Sequence, residues 1–255
     1  QASLTQLRGL AALPDGSLVA SDYWANAIVK ISNPDNPSTC AVSSIAGNAG
    51  PYTAIDPSDD TTYPPSGTAD GQGSAASFTE LGAMTTDSSG TIYVADKTVA
   101  QGPSTVRKID SSGNVTTLLE LNDASGPDAI RNFTIMNGKL YAAASDGSNN
   151  SYVFQIDTSS GAMTTIHSGG ADAWDPVPSG EDPTVSGITN DGSNLIVAGY
   201  GYVWYLGLDG KLTLVAGTGL DIDNFPSGYD PAASHPALEL ALPAVLGSAD
   251  ENGTG

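Results

Sequence analysis

Cysteine, histidine and positive charge are what this chain has least of. Its 255 residues include one cysteine, two histidines and eight Lys or Arg, against 28 Asp or Glu. The single Cys40 excludes an internal disulfide framework and a cysteine-based zinc site. At the start of an outer strand, it is expected to be a small buried or half-buried residue. His167 and His235 are too few for a zinc centre with three histidine ligands. A net charge of −20 repels phosphate backbones and anionic lipid, which argues against nucleic acid and anionic membranes as partners. No apolar run reaches the roughly eighteen residues of a spanning helix, so membrane insertion is not expected. Charged residues make up only 14% of the chain, while Gly, Ser, Thr, Asn and Pro abound, as in a protein of short strands and turns. A start at Gln1 fits a removed signal peptide, and equally a chain cut from a longer one. With the composition it leads to the expectation of a secreted or extracellular protein, in the periplasm or at the cell surface.

What the chain does have is a degenerate unit that returns about every fifty residues, the mark of stacked supersecondary units. Its clearest copy runs from Ala69 to Leu119, as ADGQGSAASFTELGAMTTDSSGTIYVAD and then VRKIDSSGNVTTLL. Turns rich in Asp, Asn and Gly precede strands LVASD, TIYVAD, LYAAASD and LIVAG. A second set, AIVKIS, TVRKID, YVFQID and YVWYLG, follows, and AVSSIAG, VTTLLEL, MTTIHSG and LTLVAGTG close the units. With LRGLAAL, ELGAMTT, IRNFTIM and TVSGITN in front, each unit has four short strands joined by hairpin turns. That pattern predicts an all-β chain of β-propeller blades at about 4–47, 78–121, 130–169 and 184–219.

The progression ADG-G-A-F, YVAD, IRKID and VTTLAG resembles the NHL repeat family of bacterial secreted proteins. The likeness is close in the second unit, fair in the first (Asp22, Asn26, Ile28, Lys30, Ile31) and the fourth (Leu214 to Gly219), and weak in the third. It implies a propeller, and because such propellers close with six blades, four blades plus the first strand of a fifth at Ala237–Val245 amount to an incomplete ring. The whole of 1–255 is expected to be one propeller domain, with a partial blade at 237–255. More chain beyond Gly255, a separate polypeptide or another copy of the chain is expected to cover the open blade faces; closure on fewer blades is the remaining alternative. The family includes protein- and RNA-binding scaffolds, and enzymes occur among related propellers, so membership carries no chemistry.

Acid is concentrated in the interblade segments 48–79, 121–130, 168–184 and 217–237, which hold no Lys or Arg. These segments are expected to elaborate one negative rim of the propeller, where binding loops reside. Asp221, Asp223, Asn224 and Asp230 form a candidate calcium site, although Pro226 interrupts the spacing; loop capping by the same side chains is the simpler account. Calcium is the one cofactor suggested. Tyr23, Trp24, Tyr52, Tyr63, Trp174 and Tyr229 are expected on the same rim, where exposed aromatics stack on sugars or anchor a protein. Trp204 is expected in the core. Asp22, Asp96 and Asp146 recur after the second strand and are expected to cap turns. Nucleophile elbows and phosphate loops are absent from the sequence. These observations lead to a non-enzymatic scaffold whose acidic rim contacts a protein or carbohydrate. The alternative is a metal-dependent lyase or hydrolase with its site in the central channel, where Glu80 is almost the only inner-strand ligand.

Overall fold

A computed structural model describes residues 4–47, 66–97, 102–121, 126–148, 150–177 and 183–217. Its strands are β1 (Leu7–Ala12), β2 (Leu18–Asp22), β3 (Ala27–Ser32), β4 (Ala41–Gly47), β5 (Gly71–Gln72), β6 (Met84–Thr86), β7 (Ile92–Lys97), β8 (Ser104–Ile109) and β9 (Asn114–Glu120). They continue with β10 (Ala129–Met136), β11 (Lys139–Ser145), β12 (Ser151–Ile156), β13 (Met163–Gly169), β14 (Val185–Asn190), β15 (Leu195–Gly199), β16 (Tyr202–Leu206) and β17 (Leu212–Gly217). Among the described residues the helical content is two single 3-10 turns, at Gly73–Ala75 and Ala171–Ala173. The strands form four consecutive antiparallel meanders, β1–β4, β6–β9, β10–β13 and β14–β17, which are four-stranded propeller blades. The partial blade expected at 237–255 lies outside the described residues.

Two compact units result, Gln1–Ile130 with Thr158–Ala162, and Arg131–Asp157 with Met163–Gly255. In the first unit, Val19, Ile28, Phe78, Leu81, Ile92, Val94 and Ile109 close a buried apolar cluster. The second is centred on Tyr141, Val153, Trp174, Leu195, Val197 and Trp204. Burying rings of this size removes about 150–250 Å² of apolar surface each, which makes the aromatics the largest single contributors. Trp204 is in the core as expected.

The hairpins form where Asp supplies the turn. Asp87 accepts the N–H groups of Ser89 and Thr91, Asp110 those of Ser112 and Asn114, Asp146 those of Ser148 and Asn150, and Asp191 those of Ser193 and Asn194. These side chains mimic a backbone turn and satisfy donors that the strands leave open. These four carboxylates are therefore structural.

One element escapes the repeat pattern. The ADG stretch, expected to be an interblade loop, adds β5 to the outer edge of β9, pairing Gly71 with Val115 and Gln72 with Asn114. A two-residue strand carries no periodicity, so only pairing in space reveals it. Cys40 also departs from expectation: it is exposed, with its N–H bonded to the Asn36 carbonyl in the turn before β4.

Candidate functional site

The strand registers align the blades residue by residue. Ala27, Thr105, Tyr152 and Tyr202 occupy one position, each next to the pair where the outer strand shifts register. Their partners on the second strand are Asp22, Asp96, Ala144 and Gly199. Asp146 thus falls two residues past the equivalent place and is a turn cap, whereas Asp22 and Asp96 are buried and do something else. Asp22 accepts the Thr5 N–H at 2.9 Å, the Gln6 N–H at 3.2 Å and the Thr5 hydroxyl. Asp96 Oδ1 accepts the N–H groups of Thr79 at 2.9 Å and Glu80 at 2.8 Å. Both carboxylates fix the chain just before the innermost strand.

In the second blade a charged clasp reinforces this anchor. Arg107 Nη1 donates to Asp96 Oδ2 at 3.0 Å and to the Ser77 carbonyl at 3.1 Å, and Nη2 donates to Asp70 Oδ1 at 3.0 Å and the Ala69 carbonyl at 2.9 Å. Its guanidinium carbon lies 5.1 Å from the centre of the Phe78 ring. Burial pushes the Asp96 carboxyl up, opposed by backbone N–H groups and by Arg107. Burial acts on Asp70 too, but the Thr117 N–H and hydroxyl together with Arg107 outweigh it, so that carboxyl is held below its usual range. Val29, Phe154 and Trp204 stand where Arg107 does in the other blades. The ADG, Phe78, Asp96 and Arg107 of the sequence repeat are therefore one network.

That network aims Glu80. The carboxylate is nearly out of solvent, 6% exposed, with Lys97 Nζ 3.3 Å from Oε2 and the Tyr23 hydroxyl donating to Oε1 at 3.4 Å. Arg8 places its guanidinium carbon 4.1 Å over the Tyr23 ring, and Trp24 meets that ring edge-on at 4.9 Å. Trp24 is 39% exposed, and Leu7 and Leu10, which flank Arg8 on β1, are exposed as well. A carboxylate held between an ammonium and a phenol can take a proton from a substrate, while either partner stabilises negative charge that develops on an oxygen.

Of the aromatics expected on a binding rim, Tyr23 and Trp24 come together here. Trp174 does not: it is fully buried, its indole N–H bonded to the Gly169 carbonyl at 3.1 Å, its ring 4.6 Å from His167 and 5.7 Å from Trp204. The segment GGADAW turns through a 3-10 element and buries the indole instead of presenting it. Tyr52, Tyr63 and Tyr229, and the calcium candidates Asp221, Asp223, Asn224 and Asp230, lie outside the described residues. Among those described, no three His, Cys, Asp or Glu side chains come together as metal ligands. Glu80, Tyr23 and Lys97 carry no shared sequence spacing; the sequence singled out Glu80 as an inner-strand ligand and Tyr23 as a rim aromatic, but neither Lys97 nor the meeting of the three.

No protein-family profile matches the chain, and no curated protein matches it. Solved structures do. A catalytically inactive virginiamycin B lyase from Staphylococcus aureus with quinupristin superposes with a TM-score of 0.51 and 13% identity, over 83% of this chain and 55% of that one. A candidate gluconolactonase gives 0.50 and 14%, over 82% and 62%. A puromycin hydrolase variant complexed with PGG gives 0.50 and 11%, over 79% and 29%. The chain spans about half the length of the lyase and less than two thirds of the other two. At this identity the likeness establishes a β-propeller fold. It also corrects the expectation of a non-enzymatic scaffold, because these propellers with a stated activity are enzymes.

Proposed function

We propose that the chain carries the site of a propeller enzyme, a lyase or hydrolase acting on a small cyclic or ester-like substrate, with Glu80 as the base. The observation that carries this reading is the Glu80 carboxylate held between Lys97 and Tyr23 on an anchor of Asp96 and Arg107. A lyase, a candidate gluconolactonase and a hydrolase among the propellers of similar fold support the reaction class. The NHL-like motifs support the repeat assignment and are silent on chemistry. In this reading Glu80 removes a proton from the substrate or from water, and the Lys97 ammonium or Tyr23 phenol steadies the oxygen that leaves. Arg8 and Trp24 would hold an anionic or apolar portion of the substrate. The described residues do not fit a metal centre, so no step is routed through one.

The test is turnover of a panel of lactones, aryl esters and cyclic depsipeptides by the chain and by Glu80→Gln and Lys97→Met. Glu80→Gln keeps the backbone N–H that Asp96 accepts, and is expected to lower kcat by about 10²–10⁴-fold with KM little changed. Full activity in that variant, or no turnover of any panel member by the parent chain, would overturn the reading.

A further inference from the structure

At the opposite end of the same strands, the first unit contains a crevice of about 380 Å³ that the site above does not use. Leu13, Ile45 and Ile92 give it apolar walls. Two polar features interrupt them. On one side Lys30 Nζ lies 2.7 Å from Asp15 Oδ2, a closed ion pair. On the other, Asp110 spends Oδ1 on the Ser112 and Asn114 N–H groups and leaves Oδ2 without a hydrogen bond among the described residues. The cavity falls in the size range of small-ligand sites, about 300–1,000 Å³, and combines apolar walls with one carboxylate that has no ion-pair partner among the described residues. Its surroundings favour cations, since the protein carries a net charge of −20. The glycine of the β6–β7 turn, Gly90, borders the crevice, and a Cβ there would lie 3.7 Å from Pro14 and 3.9 Å from Leu13.

We propose that this crevice binds small amphipathic ammonium compounds, the apolar part against Leu13, Ile45 and Ile92 and the ammonium at Asp110 Oδ2. Lys30 already neutralises Asp15, so the crevice presents one net negative charge. A carboxylate ligand would face Asp110 directly and is disfavoured. Removing Lys30 frees Asp15 and adds a second acceptor for the cation.

Benzylamine, benzyl alcohol and benzoate, three probes of one shape and different charge, test this by methyl NMR titration of the full chain. Saturable shifts at Ile45 and Ile92 are expected with benzylamine in the millimolar range, weaker ones with benzyl alcohol and none with benzoate. Asp110→Asn keeps an oxygen for the turn and should weaken benzylamine about threefold to fivefold without changing benzyl alcohol. Lys30→Met should strengthen benzylamine by a similar factor. Benzoate binding as well as benzylamine, the absence of any saturable shift at those methyls, or no effect of either substitution would each overturn the assignment.

Discussion

A buried carboxylate is tolerated in this protein only where donors meet it, and the two inner-strand anchors meet that demand differently. Among the described residues Asp22 is satisfied by Thr5 and Gln6, whereas Asp96 also has the Arg107 guanidinium. Breaking a buried pair from one side leaves a charge stranded, at a cost of about 3–5 kcal/mol. Arg107→Val, the choice found at the equivalent position of the first blade, is therefore expected to destabilise strongly at neutral pH. Without Arg107 the Asp96 carboxyl moves further up. A group raised in the folded state stabilises below its unfolded value and loses that contribution as pH rises through the folded one. The variant should accordingly recover part of its lost stability on acidification. The turn carboxylates, which parent and variant share, contribute with the opposite sign. At Asp87 burial is outweighed by the Ser89 and Thr91 donors, at Asp146 by those of Asn150 and Ser148, and at Asp191 the backbone of Asn194 and Ser193 dominates, so all three are held below the ordinary carboxylate value. Their contribution is complete above about pH 3.9 and disappears as pH falls through the folded values. Thermal melts of parent and variant between pH 2 and pH 6 check both signs, and a stability gap between them that fails to narrow on acidification would refute the assignment of Asp96.

Each outer strand carries one residue out of register: Ile45 in β4, Leu118 in β9, Ile166 in β13 and Val215 in β17. Three of their carbonyls face glycines of β-turns. A Cβ on Gly113 would sit 3.1 Å from the Ile45 oxygen, one on Gly210 would sit 2.8 Å from the Ile166 oxygen, and one on Gly161 would overlap the Leu118 oxygen. The bulges thus exist to seat a turn, and glycine is demanded twice, by a left-handed φ of +74° at Gly161 and by the contact. Gly16 has φ +82° but nothing within 4 Å. Gly16→Ala should cost only the conformational penalty, about 1–2 kcal/mol, whereas Gly161→Ala should cost clearly more because backbone must move. Chemical denaturation of the two variants measures the difference; equal losses would mean that the contact yields freely. The sequence repeat located the turns and strands because Asp-Gly chemistry and alternation are local. The bulges, the β5 strap and the buried Trp174 were not legible, because each depends on a partner far along the chain.

On the scale of the molecule, composition spoke to charge and misled on function. Abundant acid and a lack of motif chemistry led to a passive scaffold. The Glu80 cluster is assembled from three points, Tyr23, Glu80 and Lys97, that share no spacing, and no composition reports it. The acidity itself still has a physical consequence. With 28 acidic residues against eight basic ones, like-charge repulsion opposes folding, and few ion pairs offset it: among the described residues Lys30–Asp15, Lys97–Glu80, Arg107–Asp70 and Arg107–Asp96. The Arg107–Asp96 pair is shielded from salt by burial of both partners, while the repulsion is spread over the exposed surface and is screened. The screening length falls from about 30 Å at 0.01 M salt to about 3 Å at 1 M, so added NaCl should remove more repulsion than attraction. Tm is expected to rise by several degrees over that range, and the Asp110 preference for benzylamine should weaken over the same range. Calcium chloride at matched ionic strength separates general screening from site binding, since a bound ion stabilises by mass action at low concentration. A fall in Tm with added NaCl would mean that the exposed pairs, chiefly Lys30–Asp15, outweigh the surplus charge, and with it the argument that acid on this surface is tolerated for its turns and not for its pairing.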